Sequence, residues 1–317
     1  MAAKTGPRVL FIGGLGRSGS TLLERILCEL PGVCGMGEIV HLWQRGLVDD
    51  ELCGCGVPFS SCPFWRDVGD AAFGGWPAFD VAEFQALKES VDRTRFVPVL
   101  AGPALTAGLR RRVADYGDVY RRLYDGVRAV SEREVLVDSS KHVSLACCLR
   151  WSEEIDLRIL HVVRDARAVA YSWSKTVGRP EAVEGSAEGA YMARWSGRKT
   201  ALHWNAQNLG FDVLARRGVP TLRVRYEDFM RSPAATLREI AGFAGLDEAI
   251  PMPFDGDMAV RLTSNHQVAG NPMRFRSGRV ELRADEAWKA ELGAGQRRVV
   301  TGLTLPLLAR YGYHREA

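Results

Sequence analysis

Long apolar runs, an even set of cysteines and a strong excess of one charge are all missing from this 317-residue sequence. No segment reaches the ~18 uninterrupted apolar residues of a membrane-spanning helix, and residues 1–8 lack the apolar core of a signal peptide. The 7 cysteines are an odd number, which argues against a complete disulfide framework. Lys and Arg (42) exceed Asp and Glu (38) by only 4, too few to indicate nucleic-acid binding. We therefore expect a cytoplasmic protein with no membrane span, no nucleic-acid partner and a local anion site.

The order of predicted strands and helices indicates the α/β fold class. A buried strand over Arg8–Gly13 is followed by a Gly-rich turn and an amphipathic helix over residues 22–30. Short apolar segments predict three further strands, at residues 134–138, 157–163 and 221–225. This alternation predicts a three-layer α/β/α sandwich with a central parallel sheet and a ligand at the carboxyl ends of its strands. No periodic pattern marks residues 247–284, and the polar stretch 178–189 predicts a mobile loop.

The Gly-rich turn has the spacing of a phosphate-binding loop but lacks its lysine. Four residues separate Gly14 from Gly19, and Ser20 stands where a Walker A loop has lysine. Backbone N–H groups of such a loop form an anion cradle, to which Arg17 adds a cation able to grip phosphate. Hydroxyl donors are supplied by Ser18, Ser20 and Thr21. Because the missing lysine normally neutralises β- and γ-phosphates, the loop favours a 5′-phosphate with a less charged group beyond it. The alternative is a Gly-rich turn without a ligand.

The loop also carries a family resemblance. Its segment Gly-Arg-Ser-Gly-Ser-Thr-Leu-Leu, at residues 16–23, resembles the 5′-phosphosulfate loop of sulfotransferases that use 3′-phosphoadenosine 5′-phosphosulfate (PAPS). The Arg-Ser-Gly form is similar to that of tyrosylprotein and bacterial sulfotransferases. The resemblance implies a P-loop-type single domain over residues 1–317, PAPS as donor, 3′-phosphoadenosine 5′-phosphate as product, and no required metal. The residues it assigns to the donor are Gly16, Arg17, Ser18, Gly19, Ser20 and Thr21.

A second anion site is predicted after the third strand. Arg164 ends that strand, and Ser172 lies eight residues later, two turns along a predicted helix. One cation and one hydroxyl suit a terminal phosphate, and the spacing resembles the family's 3′-phosphate site. In the alternative, Arg164 pairs with Asp165 at the start of the helix. Arg167 is expected to be a solvated surface charge. Tyr226, in a Tyr-Glu-Asp segment, resembles the family's tyrosine near the adenine, or is a boundary aromatic over the core.

A basic loop near the C-terminus resembles the family's nucleotide-covering segment. Arg274 and Arg276 precede Gly278, and Trp288 follows at a longer gap than in the cytosolic enzymes of the family. Both arginines are therefore candidates for the 3′-phosphate contact, with Arg274 slightly favoured.

Sulfuryl transfer to a hydroxyl requires a base, charge stabilisation at the leaving oxygen and in-line geometry. Glu38 lies in a Gly-Glu segment after the first helix, which carries the catalytic carboxylate in tyrosylprotein-type and several bacterial enzymes of the family. Its alternative role is a solvated turn carboxylate. Because the cytosolic enzymes use a histidine, three other candidates for the base stay open: His41, His142 and His266.

Three residues are candidates for stabilising the transition state. Lys141 follows the second strand, where a lysine of the family reaches the leaving oxygen; the alternative is an exposed charge at a strand end. Ser264 is a candidate match to a family serine near the leaving phosphate. Arg17 is the third candidate, because its charge stands at the phosphosulfate loop.

An irregular insert concentrates cysteines within ten residues, at Cys53, Cys55 and Cys62. The Cys-x-Cys-x6-Cys spacing lacks a regular fourth zinc ligand; His41 would supply one if a metal were bound, and a reducing cytosol disfavours a disulfide. Packed thiols without a metal site are the expected state. With the helical pattern of residues 81–133, the insert predicts a cap over residues 53–133 beside the acceptor cleft. Four aromatic residues of the insert have two interpretations: they line an acceptor pocket, or they form a small core. They are Phe64, Trp65, Trp76 and Phe79.

Together the ordered motifs predict sulfuryl transfer from PAPS to a hydroxyl of a small-molecule acceptor by in-line displacement with a general base. A phenol, sugar, lipid or natural-product hydroxyl is compatible with the sequence. The main alternative is a P-loop kinase or NTPase with a degenerate Walker A loop, in which Asp138 ends a Walker B-like strand and binds magnesium. A non-catalytic nucleotide-binding module is the third possibility, and Glu38 and Lys141 argue against it.

Overall fold

A computed structural model describes residues 6–178, 191–247 and 249–313, so the predicted loop over residues 178–189 lies outside the described residues except for Gly178. The strands are β1 (Arg8–Gly13), β2 (Val33–Gly37), β3 (Val135–Lys141), β4 (Asp156–Val163), β5 (Thr221–Arg225), β6 (Ala259–Leu262) and β7 (Gly278–Glu281). The helices are α1 (Ser20–Leu27), α2 (Pro63–Phe73), α3 (Val81–Val91), α4 (Val97–Leu100), α5 (Ala107–Ser131), α6 (Val143–Leu149), α7 (Ala166–Ser174), α8 (Gly197–Arg216), α9 (Tyr226–Arg231), α10 (Pro233–Ala244), α11 (Trp288–Glu291) and α12 (Ala294–Arg310).

Five parallel strands form the central sheet in the order β2-β3-β1-β4-β5. Leu10 of β1 pairs with Val137 of β3 on one side and with Arg158 of β4 on the other, so β1 lies in the middle. This arrangement confirms the predicted α/β fold with a central parallel sheet. Sequence reasoning missed β2, because two of its five residues are glycines. It also missed the antiparallel β6–β7 pair, because four-residue strands are too short to show a period.

Alternating side chains of β1 divide the core between the two faces of the sheet. Val9 and Phe11 contact one apolar cluster, which includes residues of α5, α6 and α8. Leu10 and Ile12 contact the other, which includes residues of α1, α9 and α10. Successive strand residues point to opposite faces, so this short apolar run is buried on both sides. The helices on the two faces make the three predicted layers.

The predicted cap region, residues 53–133, shares its apolar core with the sheet. Tyr116, Tyr120 and Tyr124 repeat every four residues along α5 and are fully buried. The Tyr124 hydroxyl donates a hydrogen bond to Asp138 Oδ2 on β3 (2.7 Å). Trp65 is fully buried in this core. The other insert aromatics pack against it, which favours the small-core interpretation for Phe64, Trp76 and Phe79.

None of the helices within residues 6–178, 191–247 and 249–313 combines the length and apolar character that crossing a membrane requires.

Candidate active site

A cavity of about 740 Å³ opens along the carboxyl edge of the central sheet. Residues after all five parallel strands line it: the loop that follows β1, Glu38 after β2, Lys141 at the end of β3, Arg164 after β4 and Tyr226 after β5. Carboxyl ends of parallel strands meet at one edge, which is why residues far apart in sequence converge there. The volume lies within the roughly 300–1,000 Å³ range of ligand pockets. The cavity is therefore the candidate active site.

The loop between β1 and α1 is shaped by positive backbone angles. The φ angles are 136° at Gly14, 77° at Arg17 and 87° at Gly19, and an arginine in this region is held at a cost of about 1–3 kcal/mol. The Ser18 hydroxyl turns back to the Leu15 carbonyl oxygen (2.7 Å), and Ser18 does not line the cavity. The predicted loop residues that do line it are Gly16, Arg17, Gly19, Ser20 and Thr21.

Gly19 is fixed both by its backbone angle and by its neighbour. A Cβ at this position would lie 2.6 Å from Cδ2 of the Tyr226 ring, closer than real carbon atoms approach. We expect Gly19→Ala to lower the free energy of unfolding by about 1–3 kcal/mol, because it adds left-handed strain and a clash. Urea denaturation measures this change.

The control for this prediction is Gly108→Ala in α5, where an added Cβ meets nothing within 4 Å. Alanine is the better helix former, so this variant is expected to be as stable as the wild type or up to about 1 kcal/mol more stable. Equal stability of Gly19→Ala and the wild type would show that the loop does not need this glycine.

Arg164 lines the cavity, and its guanidinium is only partly hydrogen-bonded. Its guanidinium donates to the carbonyl oxygens of Arg17 (3.2 Å) and Asp285 (2.8 Å), and it lies 4.4 Å from the Tyr226 ring centroid. Among the described residues, the buried Nε atoms of Arg164 and Arg17 have no hydrogen-bond partner. Unpaired buried donors cost free energy, so both guanidiniums fit a site whose anion completes their bonding. Ser172, two turns along α7, lines the same cavity.

The charged residues next to Arg164 show that one prediction from the sequence is wrong and exclude the alternative ion pair predicted for Arg164. Asp165 pairs with Arg167 (Nη2 to Oδ2, 2.6 Å), and both side chains are buried. The prediction of Arg167 as a solvated surface charge is therefore wrong. The alternative in which Asp165 neutralises Arg164 is not what the structure has, because that carboxylate already faces Arg167. Arg164 instead has Asp285 Oδ2 at 3.3 Å.

Glu38 and Lys141 form an ion pair in the cavity wall. Lys141 Nζ donates to Glu38 Oε1, and His41 Nε2 lies 3.6 Å from Glu38 Oε2. Burial by itself would raise the pKa of Glu38, but the charge and the hydrogen bond of Lys141, with further contributions from His41 and Arg45, outweigh it and lower that pKa to about 2. Glu38 is therefore an ionised carboxylate, neither solvated nor protonated, beside a cation.

The three candidate histidines lie in two places. His41 and His142 line the cavity, with ring centroids 5.7 Å apart. Burial lowers the pKa of His41 to about 3 despite the opposing charge of Glu38, and burial also lowers the pKa of His142. Both are neutral at pH 7 and could accept a proton. His266 instead lies against the cysteines of the insert.

Besides Ser18 and His266, three further predicted residues are not brought to the cavity. Ser264 and Arg276 are exposed, and neither lines it. Arg274 is fully buried, and its guanidinium donates to the carbonyl oxygens of Gly270 (3.2 Å) and Leu52 (3.1 Å). The loop that carries Arg274 contributes other side chains to the cavity, those of Asn271 and Met273.

An aromatic wall was missed by sequence reasoning. Trp173 and Trp195 stack with centroids 3.9 Å apart and line the cavity beside Met192 and His203. Trp173 Nε1 donates to the Gly16 carbonyl oxygen (3.0 Å), and Arg17 lies 5.2 Å from its ring centroid. One signal for this wall was present in the sequence, the position of Trp173 directly after the candidate residue Ser172. No signal marked Trp195, because the segment between it and its stacking partner Trp173 has no periodic pattern.

A buried carboxylate beneath the site was also missed. Glu24 of α1 accepts hydrogen bonds from the Gly37 backbone N–H (2.7 Å) and the Ser139 hydroxyl (2.5 Å). Burial raises the pKa of Glu24 to about 7, against the lowering effect of those hydrogen bonds. It joins the ends of β2 and β3 and so fixes the strand ends that present Glu38 and Lys141.

One family profile and several solved structures are similar to this chain. The sequence profile of the sulfotransferase domain matches residues 7–275. The sulfotransferase domain of the Synechococcus PCC 7002 olefin synthase is 22% identical, with a TM-score of 0.47 over 96% of this chain and 97% of that one. A sulfotransferase from Alicyclobacillus acidocaldarius is 18% identical, with a TM-score of 0.43 over 94% of each chain. The sulfotransferase domain of the curacin biosynthetic pathway is 16% identical, with a TM-score of 0.45 over 95% of this chain and 99% of that one. No curated protein sequence matches the chain.

The residues matched by the profile include all five parallel strands, the Gly-rich loop after β1 and the residues after each strand that line the cavity. The chain therefore belongs to the sulfotransferase domain family.

Proposed function

We propose that this sulfotransferase moves the sulfuryl group of PAPS to a hydroxyl of a small-molecule acceptor, with Glu38 as the base. The observation that carries the proposal is one cavity lined both by the lysine-free phosphate loop and by the Glu38–Lys141 pair. A donor site and a proton acceptor in the same cavity are what group transfer to a hydroxyl requires.

The donor is proposed to bind along the edge formed by β1, β4 and β5. Backbone N–H groups of the loop and the hydroxyls of Ser20 and Thr21 suit the 5′-phosphosulfate. The unsatisfied Nε of Arg164, with the Ser172 hydroxyl, suits the 3′-phosphate. The Tyr226 ring contacts the Arg164 guanidinium, whose Cζ lies 4.4 Å from the ring centroid. We therefore assign Tyr226 a positioning role near the adenine.

The proposed reaction balances without a metal. Glu38 takes the acceptor's hydroxyl proton as that oxygen bonds to sulfur, and the bond from sulfur to the bridging phosphate oxygen breaks. The bridging oxygen keeps the electron pair, and 3′-phosphoadenosine 5′-phosphate leaves. Lys141 and Arg17 stabilise the charge that develops on the bridging and sulfuryl oxygens.

The low pKa of Glu38 suits this role if Lys141 moves during the reaction. In the free protein Lys141 keeps Glu38 ionised but makes it a weak base. When Lys141 turns to the bridging oxygen, Glu38 loses the charge that lowers its pKa most, and its proton affinity rises. The same movement of Lys141 thus stabilises charge on the leaving oxygen and makes Glu38 a stronger base.

The acceptor is proposed to bind on the side of the cavity that faces Glu38. Neutral or weakly polar groups that line the cavity are His41, Thr94, His142, Gln207 and Trp195, and of these His41 lies 3.6 Å from Glu38 with His142 beside it. Thr94 is the member contributed by residues 53–133, so we propose that this region borders the acceptor and does not bind the nucleotide. A neutral hydroxyl compound suits such a lining better than an anionic one.

Arg164→Ala is expected to weaken binding of 3′-phosphoadenosine 5′-phosphate by about two orders of magnitude, because it removes charge-assisted hydrogen bonds to a phosphate. Isothermal titration of the full chain, with and without Mg²⁺ and beside AMP and ATP, measures this. The wild type is expected to prefer the 3′-phosphorylated nucleotide without magnesium. The control is Arg66→Ala, which removes an exposed arginine paired with Asp67 and should bind as the wild type does.

Magnesium-dependent binding of ATP, with no preference for the 3′-phosphate, would contradict the proposal and favour the kinase alternative. Asp138 gives that alternative no support. It is fully buried, accepts hydrogen bonds from Tyr124 and from the backbone N–H of Ser140 (2.8 Å), and does not line the cavity.

A further inference from the structure

The insert cysteines meet a histidine from a distant part of the chain. The sulfurs of Cys53, Cys55 and Cys62 and a ring nitrogen of His266 all lie within 4.8 Å of one another. Cys53 and Cys62 are buried, and the other two are half-buried. His41, the fourth ligand that the sequence suggested, instead faces Glu38 in the cavity. None of the seven cysteines, all of which lie among the described residues, forms a disulfide.

The spacing of these four atoms matches a tetrahedral metal site. Zinc–sulfur bonds of about 2.3 Å and zinc–nitrogen bonds of about 2.0 Å, at tetrahedral angles, separate two sulfurs by about 3.8 Å and a sulfur from a nitrogen by about 3.5 Å. Here Cys55 Sγ lies 3.8 Å from Cys62 Sγ, and His266 Nδ1 lies 3.3 Å from Cys62 Sγ and 3.9 Å from Cys53 Sγ. A disulfide needs about 2.05 Å between sulfurs, so the cluster has the dimensions of a metal site.

The backbone around the cysteines is preorganised for thiolates. A tight turn is closed by hydrogen bonds from the Cys53 N–H to the Val57 carbonyl oxygen and from the Gly56 N–H to the Cys53 carbonyl oxygen (both 2.8 Å). Backbone N–H groups also reach two of the sulfurs, Cys55 N–H to Cys53 and Trp65 N–H to Cys62. Such N–H···S bonds spread the negative charge of metal-bound sulfur.

His266 is held in place by two insert aromatics. Its ring stacks on Phe64 with centroids 4.8 Å apart, and its carbonyl oxygen accepts a hydrogen bond from Trp65 Nε1 (2.7 Å). Both contacts come from the same insert as the cysteines. The histidine is therefore oriented by the element that supplies the other ligands.

We propose that Cys53, Cys55, Cys62 and His266 bind one Zn²⁺ ion. Three sulfurs and one nitrogen in a tetrahedron are a ligand set that zinc favours. Binding releases three thiol protons and leaves a cluster with one net negative charge. Four protein ligands fill a tetrahedral site, so the ion has no open position and is structural.

The zinc site would connect the insert to the strand end that carries Glu38. Gly54 N–H donates to the Gln267 carbonyl oxygen (3.0 Å), one residue after the histidine ligand. The next residue, Val268, exchanges hydrogen bonds with the strand end: its N–H reaches Met36 (2.9 Å), and its carbonyl accepts from Glu38 (2.8 Å). Loss of zinc is therefore expected to loosen residues 264–271 and the backbone of Glu38.

Metal content of the full chain, purified without a histidine tag and under reducing conditions, tests the proposal. Elemental analysis by inductively coupled plasma mass spectrometry is expected to find about one zinc ion per chain. Replacement of zinc by cobalt is expected to give the thiolate charge-transfer and tetrahedral d–d absorption bands. Stripping zinc with a chelator should lower the melting temperature, because the metal binds only the folded state.

Cys55→Ser and His266→Ala are expected to weaken zinc binding roughly tenfold or more in competition with a chromogenic chelator. The matched control is Cys34→Ser on β2, which removes a half-buried thiol outside the cluster and should keep zinc. Circular dichroism and thermal unfolding report whether each variant is folded.

Three results would overturn the zinc proposal. One is a folded wild type that takes up neither zinc nor cobalt, and another is equal metal loss in Cys34→Ser. The third is a disulfide within the insert, detected by peptide mass spectrometry without reduction. None of these measurements needs an acceptor or a sulfuryl donor, so their outcome is independent of the proposed reaction.

Discussion

Glu38→Gln is expected to lower kcat by about 10²- to 10⁴-fold while binding of 3′-phosphoadenosine 5′-phosphate changes by only a few-fold. The glutamine keeps the shape of the side chain but cannot take the acceptor proton, and general-base catalysis contributes a factor of this size. Single-turnover assays with PAPS and an acceptor found by screening measure the rate, and isothermal titration measures the affinity.

The control for this prediction is Glu89→Gln, an exposed carboxylate on α3 that pairs with Arg93. It removes the same charge at a surface position and should retain wild-type kcat. A Glu38→Gln enzyme with more than a tenth of wild-type activity would contradict the assignment. His41 and His142 would then be the remaining candidates for the base, because both line the cavity as neutral rings.

The part of the cavity that we propose for the donor could be predicted from the sequence because its residues follow local patterns. A strand, a Gly-rich turn and a helix in that order are typical of a phosphate-binding loop. Arg164 and Lys141 each end an apolar strand, and in a parallel sheet such residues meet at one edge. The structure brings these residues into one cavity together with Glu38, which follows β2, the strand that no sequence pattern predicted.

The rest of the site depends on contacts that no local pattern encodes. His266 reaches Cys62 across 204 residues of sequence, so metal-ligand spacing could not find it. The sequence places Arg274 in a basic loop, but the fold buries it, and its guanidinium donates to the Gly270 and Leu52 carbonyl oxygens. Glu24 reads as a polar residue of an amphipathic helix, but β2 and β3 bring their hydrogen-bond donors to it.

Lys141→Met is expected to lower kcat by about 10²- to 10³-fold, the loss found when one donor to a developing oxyanion is removed. Methionine keeps most of the buried side-chain length but supplies no charge to the bridging oxygen. Single-turnover kinetics measure the loss. The control is Lys289→Met, a half-exposed lysine paired with Glu286, which should keep the wild-type rate.

A change in the pH profile separates this role from a purely structural one. With Lys141 gone, burial is less opposed and the pKa of Glu38 rises from about 2. The base acts only when ionised, so the remaining activity of Lys141→Met should fall as the pH drops through the raised pKa, in a range where the wild type keeps its rate. Lys141→Met combined with Glu38→Gln should remove that acid limb. If Lys141→Met lost activity with an unchanged profile, Lys141 would act on the leaving group alone, and the proposed coupling between leaving group and base would be wrong.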